Sequence, residues 1–197
     1  VQTCALPISG RGLAIMMKNS PRWLDAFFGA QRLGMTAVPV NIALRGDQLA
    51  HILNHSEAGF LCIDEEQLPY YEKVADRLEA PPVLVVNPED VGSGPVRSGI
   101  SLDAAYGPGA RTDPPGVRPR EGDPCLLLYT SGTTGMPKGV PTRYGRTNIR
   151  MMGVMSRALL GPRDICFTCL PLFHANALLL TVTTALCADA QVAMSVK

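Results

Sequence analysis

From Gly12 onward, short apolar runs alternate with amphipathic ones. Residues 12–19 (GLAIMMKN) open with a continuous apolar stretch, the pattern of a strand buried on both faces. Ser20-Pro21 then supplies an N-cap and a proline at the first helical position. Leu24, Phe27 and Phe28 follow at i, i+3, i+4 spacing beside Trp23, and Gly34 is placed to end that helix. Residues 36–41 (TAVPVN) form the next expected strand. Residues 47–56 form a helix with Leu49, Ile52 and Leu53 on one face, leaving His51 and His55 towards solvent. A strand at 60–64 (FLCID), a helix at 69–78 and a strand at 82–87 (PVLVVN) complete this half. Apolar strands separated by amphipathic helices predict an α/β fold, with parallel sheets covered by helices on both faces.

Residues 87–124 interrupt the alternation with seven glycines and seven prolines. They read as a surface excursion joining two subdomains, with one helical turn near residues 102–106. The alternation then resumes: a strand at 125–130, a glycine-rich loop, a strand around 139–142, and a helix from about 146 to 160. A strand at 165–170, a helix at 177–187 and a strand at 191–196 close the chain. The glycine-rich loop and His174 both follow predicted strands. If those strands share one parallel sheet, loop and ring emerge at the same carboxyl edge.

Composition narrows the partners. A net charge of +1 with no Lys/Arg stripe offers nothing to steer a polyanion, which excludes nucleic acid as a partner. The most apolar stretch, 175–194, is broken by Asn176, Thr181, Thr183, Thr184, Asp189 and Gln191, so no transmembrane segment is expected. The first eight residues, VQTCALPI, are similar to a sequencing-adapter oligonucleotide translated in frame. Residues 1–9 are therefore read as a non-native tail and set apart from 10–197. Without Cys4, the scattered Cys62, Cys125, Cys166, Cys169 and Cys187 read as reduced core thiols in a cytoplasmic protein. Cys166 and Cys169 lie three apart on an expected strand and so point to opposite faces, against a metal site.

The chemistry concentrates in residues 129–140, YTSGTTGMPKGV. Glycines let successive N–H groups turn inward as an anion nest. Hydroxyls of Thr130, Ser131, Thr133 and Thr134 add donors, Gly132 and Gly135 supply the turns, and Lys138 adds a full charge. Such a set can hold a polyphosphate. The lysine does not follow a glycine directly and no Ser/Thr follows it, so this is not the G-x-x-x-x-G-K-[ST] loop of nucleoside triphosphatases. Neither G-x-G-x-x-G nor a G-x-S-x-G hydrolase elbow is present.

These twelve residues resemble the signature phosphate-binding loop of the AMP-binding, or adenylate-forming, superfamily. Residues 18–41 resemble its N-terminal segment, and 170–178 (LPLFHANAL) resemble the motif that follows the loop in CoA ligases. The resemblance implies an acyl-CoA synthetase-like N-terminal domain, incomplete here. It also implies a two-step reaction using ATP, Mg²⁺ and CoA: a carboxylic acid becomes an acyl-adenylate and is then passed to the CoA thiol. Thr130, Ser131, Gly132, Thr133, Thr134, Gly135 and Lys138 would bind the nucleotide's phosphates. Lys138 and His174 would be the catalytic pair, His174 lining or gating the acid pocket. Amino-acid-activating relatives carry an Asp where His174 stands, which favours an acid–CoA ligase; the wider pattern resembles ligases of fatty or carnitine-type acids. An amino-acid-activating domain and a non-catalytic nucleotide-binding remnant remain the alternatives. The resemblance sets further site residues beyond Lys197, so this chain alone is expected to be inactive.

Overall fold

The computed structural model describes residues 12–89, 96–106, 117–130, 135–145 and 147–195, with backbone only for 147–152. The proposed tail lies outside them. The first half follows the expected alternation: β1 Gly12–Met16, α1 Pro21–Arg32, β2 Ala37–Pro39, α2 Gly46–Ser56, β3 Ala58–Asp64, α3 Leu68–Ala75 and β4 Val83–Asn87. Ser20 caps α1 by accepting from the Trp23 N–H. At the other end Gly34 takes φ +70°, and Met35 N–H reaches back to the Ala30 carbonyl, a Schellman closure that glycine makes inexpensive.

Seven strands form one sheet in the order β5-β4-β3-β1-β2-β6-β7, where β5 is Ile100–Ser101, β6 Pro124–Thr130 and β7 Lys138–Arg143. Every pairing is parallel except β6–β7. The expected all-parallel arrangement is therefore corrected at this edge. Only seven residues, 131–137, separate the two strands, too few for a parallel crossover, so they close as a hairpin. The Gly/Pro-rich stretch also gives more than a surface excursion: β5 joins the sheet beside β4, ahead of the expected turn at Leu102–Tyr106.

Helices cover both faces. Leu49, Ile52 and Leu53 of α2 and Tyr71 and Val74 of α3 pack on Ala14, Met16, Val38 and Leu61. Trp23, Phe27 and Ala30 of α1 pack on the alternate residues Ile15, Ala37, Cys62 and Leu126. Alternation between two apolar clusters is what a doubly covered sheet requires.

The C-terminal part differs more. Following α4 (Thr147–Leu159), β8 Ile165–Thr168 pairs in parallel with β9 Gln191–Met194, and these two strands form a second sheet of their own. Between them, Asn176–Thr183 is π-helical and only α5, Thr184–Cys187, is α-helical. Thr183 and Thr184 hydroxyls donate to the carbonyls of Leu178 and Leu179, five residues back, which supports the wider turn.

The cysteines divide accordingly. Cys62 and Cys125 are buried, as expected, but Cys166 and Cys187 are half-buried and Cys169 is exposed. The core reading fails for these three: Cys169 lies beyond β8, Cys187 ends the short α5, and Cys166 packs against a small cluster of Ala185, Ala188 and Ala190 that leaves it half-buried. Burial pushes the Cys62 thiol up to about 12 and Cys125 up to about 11, from an ordinary 9.0. Both hold their protons more tightly folded than unfolded. Their contribution to stability is thus fully present below about pH 9 and lost as pH rises through the folded values. The unfolding free energy from urea titrations should fall between about pH 9 and 11, by up to about 1.4 kcal/mol per pH unit for each fully titrating thiol. The fall should be shallower in a Cys62→Ala/Cys125→Ala double variant; identical slopes in the two proteins would exclude these thiols as its cause.

Candidate functional site

The β6–β7 hairpin presents the glycine-rich loop. Leu126 and Leu127 point to opposite faces of the sheet and are buried in different apolar clusters, which locks the strand against rotation. Polarity rises along β6 until Thr130, which is exposed. Thr130 pairs with Lys138 as the last rung of the ladder. The two backbones are thus about 5 Å apart at the loop's base, the usual spacing of an antiparallel pair. Lys138 is exposed, and Gly135 takes φ +140°. Ser131, Gly132, Thr133 and Thr134 lie outside the described residues.

His174 reaches the same place by a different route from the one expected. Its preceding strand, β8, belongs to the second sheet, so a shared parallel sheet does not bring loop and ring together. The apolar cluster that packs Leu172, Ala177 and Leu178 on Ile15, Trp23 and Leu126 does so, together with Asn19, just past β1. The buried Asn19 amide donates to the carbonyls of Leu170 (2.9 Å) and Ser195 (3.2 Å) and accepts from the Leu172 N–H (2.8 Å). That joins both strands' ends in the second sheet to the carboxyl edge of the first. Sequence reasoning missed Asn19; its one signal was a polar residue between a buried strand and the Ser-Pro cap.

One cavity of about 510 Å³ follows from this joint, lined by Leu128, Thr130, Leu170, Phe173, His174 and Asn176 among others. The His174 ring is exposed and tilts against Phe173, with centroids 4.5 Å apart. Asn176 opens the π-helical stretch, and the Leu178 N–H bonds the His174 carbonyl at 3.1 Å to close its first turn. The positive end of that helical segment therefore stands at the cavity, where an anion gains most.

The opposite side of the hairpin corrects another expectation. His55 is exposed, as expected, and His51 is half-buried, but both also touch the hairpin. His51 Nε2 lies 3.0 Å from the Pro137 carbonyl, and His55 Nδ1 lies 2.7 Å from the Tyr129 hydroxyl. Helical periodicity put both rings on the polar face of α2, but it carries no information on which other element covers that face.

Two further cavities have other characters. One of about 440 Å³ under α1 is apolar except at Asp25 and Tyr106, which bond each other at 2.6 Å, so it offers nothing to a phosphate. The other, about 340 Å³, lies where β1, β3 and β4 end. There Asp64 accepts from the Lys18 N–H and from Asn87, both at 2.7 Å, and burial raises its carboxyl above the ordinary value. Among the described residues, no group of three or more His, Cys, Asp or Glu could hold a metal ion. No described helix is long and apolar enough to cross a membrane.

The sequence pattern of AMP-binding enzymes matches residues 9–197. The chain belongs to that family. Among curated AMP-binding relatives, 4-hydroxybutyrate–CoA ligase 2 of Metallosphaera sedula is 30% identical over 83% of this chain and 30% of its own length. The 3-methylmercaptopropionyl-CoA ligase of Ruegeria pomeroyi is 32% identical over 84% of this chain and 31% of its own. The chain thus spans about a third of the length of the curated relatives it matches. In structure, it is similar to the anthranilate CoA ligase AuaEII in complex with anthranoyl-AMP (TM-score 0.81, 26% identity, 93% of this chain and 35% of that one). It is also similar to the inhibitor-bound N-terminal domain of FACL13 from Mycobacterium tuberculosis (TM-score 0.74, 27% identity, 95% and 44%).

Replacing Asn19 by Ala would leave the Leu172 N–H and two carbonyls without this partner, a loss of about 1–3 kcal/mol. Chemical denaturation should register that drop, and hydrogen exchange at Leu172 should accelerate. An unchanged midpoint with unchanged exchange would show that the second sheet is held by other means.

Proposed function

We propose that the protein carrying this chain is an acid–CoA ligase that forms an acyl-adenylate from ATP and a carboxylic acid, then transfers the acyl group to CoA. The observation that supports this best is the single cavity bounded by Thr130, at the loop's base, and by His174. The chain's relatives that are named as CoA ligases, and the structural neighbour described with an acyl-AMP, support the same reading.

In the first step a carboxylate oxygen bonds to the α-phosphorus of ATP while the bond to pyrophosphate breaks. The difficulty is that an anion must approach a polyanion. Lys138 and the loop hydroxyls and amides would lower that repulsion and stabilise charge moving onto the departing pyrophosphate. The first turn of the helical segment at Asn176 would add to the same field. In the second step the thiol attacks the acyl carbon, losing its proton, and AMP leaves. His174 lines the acid side of the cavity and would shape or gate it. Phosphates suit the donors present here. For the Mg²⁺ that the resemblance implies, the described residues supply no acidic ligand set, and no step is assigned to it. The five cysteines among the described residues are free thiols, which suits the reducing compartment proposed for this protein, the cytoplasm.

In that protein, Lys138→Ala should lower acid-dependent pyrophosphate exchange by roughly 10²–10³-fold, the scale for losing one preorganised charge-stabilising group. Thioester formation from a supplied acyl-adenylate should suffer far less, because pyrophosphate has already left. Equal losses in the two half-reactions would make Lys138 a folding residue instead.

A further inference from the structure

On its α2 side the hairpin meets two histidines that the reaction does not use, one of them at Tyr129, a residue that also lines the cavity. They stand one turn apart on α2, which is anchored by buried Leu49, Ile52 and Leu53 and tied to the chain after α3 by Asn54. Their rings are 5.5 Å apart, and each meets a different arm of the hairpin. His55 contacts Tyr129, the residue before Thr130; His51 contacts Pro137, the residue before Lys138. Thr130 and Lys138 are the rung on which the loop stands.

The contacts are specific in chemistry as well as place. The Pro137 carbonyl can only accept, so His51 Nε2 must carry the proton. Burial raises the Tyr129 phenol above its ordinary value and keeps it protonated, a hydroxyl able to pair with Nδ1 of His55 whichever way that ring is protonated. The His55 and Tyr129 rings also meet edge to face at 5.7 Å. Gly139 makes this approach possible: a Cβ there would lie 3.0 Å from Leu127 Cδ1 and 3.3 Å from His55 Cε1.

We propose that His51 and His55 are positioning residues for the polyphosphate site, gripping both arms of the β6–β7 hairpin so that Thr130 and Lys138 are held at a fixed height over α2. The proposal rests on the reading that this hairpin serves the phosphates. A peptide plane fixed through the Pro137 carbonyl fixes where the Lys138 side chain departs. An error of about 1 Å in placing a reacting group can cost about a hundredfold, so partial loosening has a measurable effect.

The test uses the protein carrying this chain. His51→Leu and His55→Leu should each lower kcat/KM for ATP in adenylation about tenfold, as expected for one lost positioning bond. Thioester formation from supplied acyl-adenylate should stay within about twofold of the unsubstituted protein. His51→Gln and His55→Asn, which keep a nitrogen near the same place, should restore most of the loss. Tyr129→Phe should reproduce His55→Leu, and the double variant should be no worse than either single one. Unchanged adenylation, equal losses in both half-reactions, or additive losses at His55 and Tyr129 would overturn the proposal. Lys138→Ala is measured alongside. If it impairs adenylation while the histidine variants do not, only the positioning role falls; if it too has no effect, the phosphate reading falls and takes the proposal with it. Should the leucine variants fail to fold, imidazole ¹⁵N shifts of the unsubstituted protein decide. A proton on Nε2 of His51 supports the bond to Pro137, and a bare Nε2 at neutral pH excludes it.

Discussion

A buried primary amide can donate twice and accept through its oxygen, and at Asn19 both donors and the oxygen are used on backbone groups 151 to 176 residues away. Among the described residues the two sheets share no strand, so what holds them together is the apolar cluster of Ile15, Trp23, Leu126, Leu172 and Leu178 and the hydrogen bonds of Asn19. Asn19 acts from the end of β1, between two residues that make different joints. Lys18 gives its N–H to Asp64 at the end of β3, and Ser20 caps α1. Three consecutive residues therefore bind the central strand to its neighbour, to the second sheet and to the covering helix. The cavity containing Thr130 and His174 lies between elements that the middle one helps to hold together.

That joint also bears on where a ligand could sit. The strand order changes direction between β1 and β3, and in open α/β sheets the crevice at such a reversal is the usual binding place. Here Asp64 spans it, its two oxygens already taken by the Lys18 N–H and the Asn87 amide, while Lys18 Nζ is paired with Glu66. The reversal point still holds the cavity of about 340 Å³, but its buried carboxylate is engaged by internal hydrogen bonds. The cavity with Thr130 and His174 lies instead beyond β2, where Pro39 has no N–H to offer and β2 pairs with β6 only at Ala37 and Leu126. A short seam beside a long hairpin leaves room at the carboxyl edge that a continuous ladder would have filled.

Much of the first half was legible in the sequence because its signals are local. The apolar runs of β1, β3 and β4, the Ser20-Pro21 cap and Gly34 each determine their own surroundings within a few residues. The hairpin was legible in principle too, since seven residues cannot bridge parallel neighbours. What the pattern did not contain was the relation between distant elements. Ile165 and Phe167 look like core positions in a list of apolar residues, yet they are exposed because β8 leaves the main sheet. The π-helical turns at Asn176–Thr183 depend on threonine hydroxyls reaching carbonyls, which an apolar periodicity does not register. For the site, the phosphate-loop residues were visible as a motif, whereas Asn19, His51 and His55 act through backbone atoms 86 or more residues away, or through one phenol 74 away.

Among the described residues β7 pairs with β6 alone, so the loop stands on the last rung of a hairpin at the border of the described sheet. An edge strand has one ladder where an inner strand has two, and β7 carries Lys138, Pro141 and Arg143, residues that discourage any further pairing. The same features that keep this edge from aggregating leave it less constrained than the sheet's interior. A cation meant to meet a developing negative charge must nevertheless be in place before the charge appears, because reorganising it during the reaction would forfeit its benefit. Beyond the ladder with β6, support for the loop can come from a face. The cavity side cannot supply it without filling the space a ligand needs. The α2 side can, and its contacts fall on Tyr129 and Pro137, one on each arm. Alternation of side chains along the strands lets the α2 side brace what the cavity side presents, with Tyr129 shared because it both lines the cavity and meets His55.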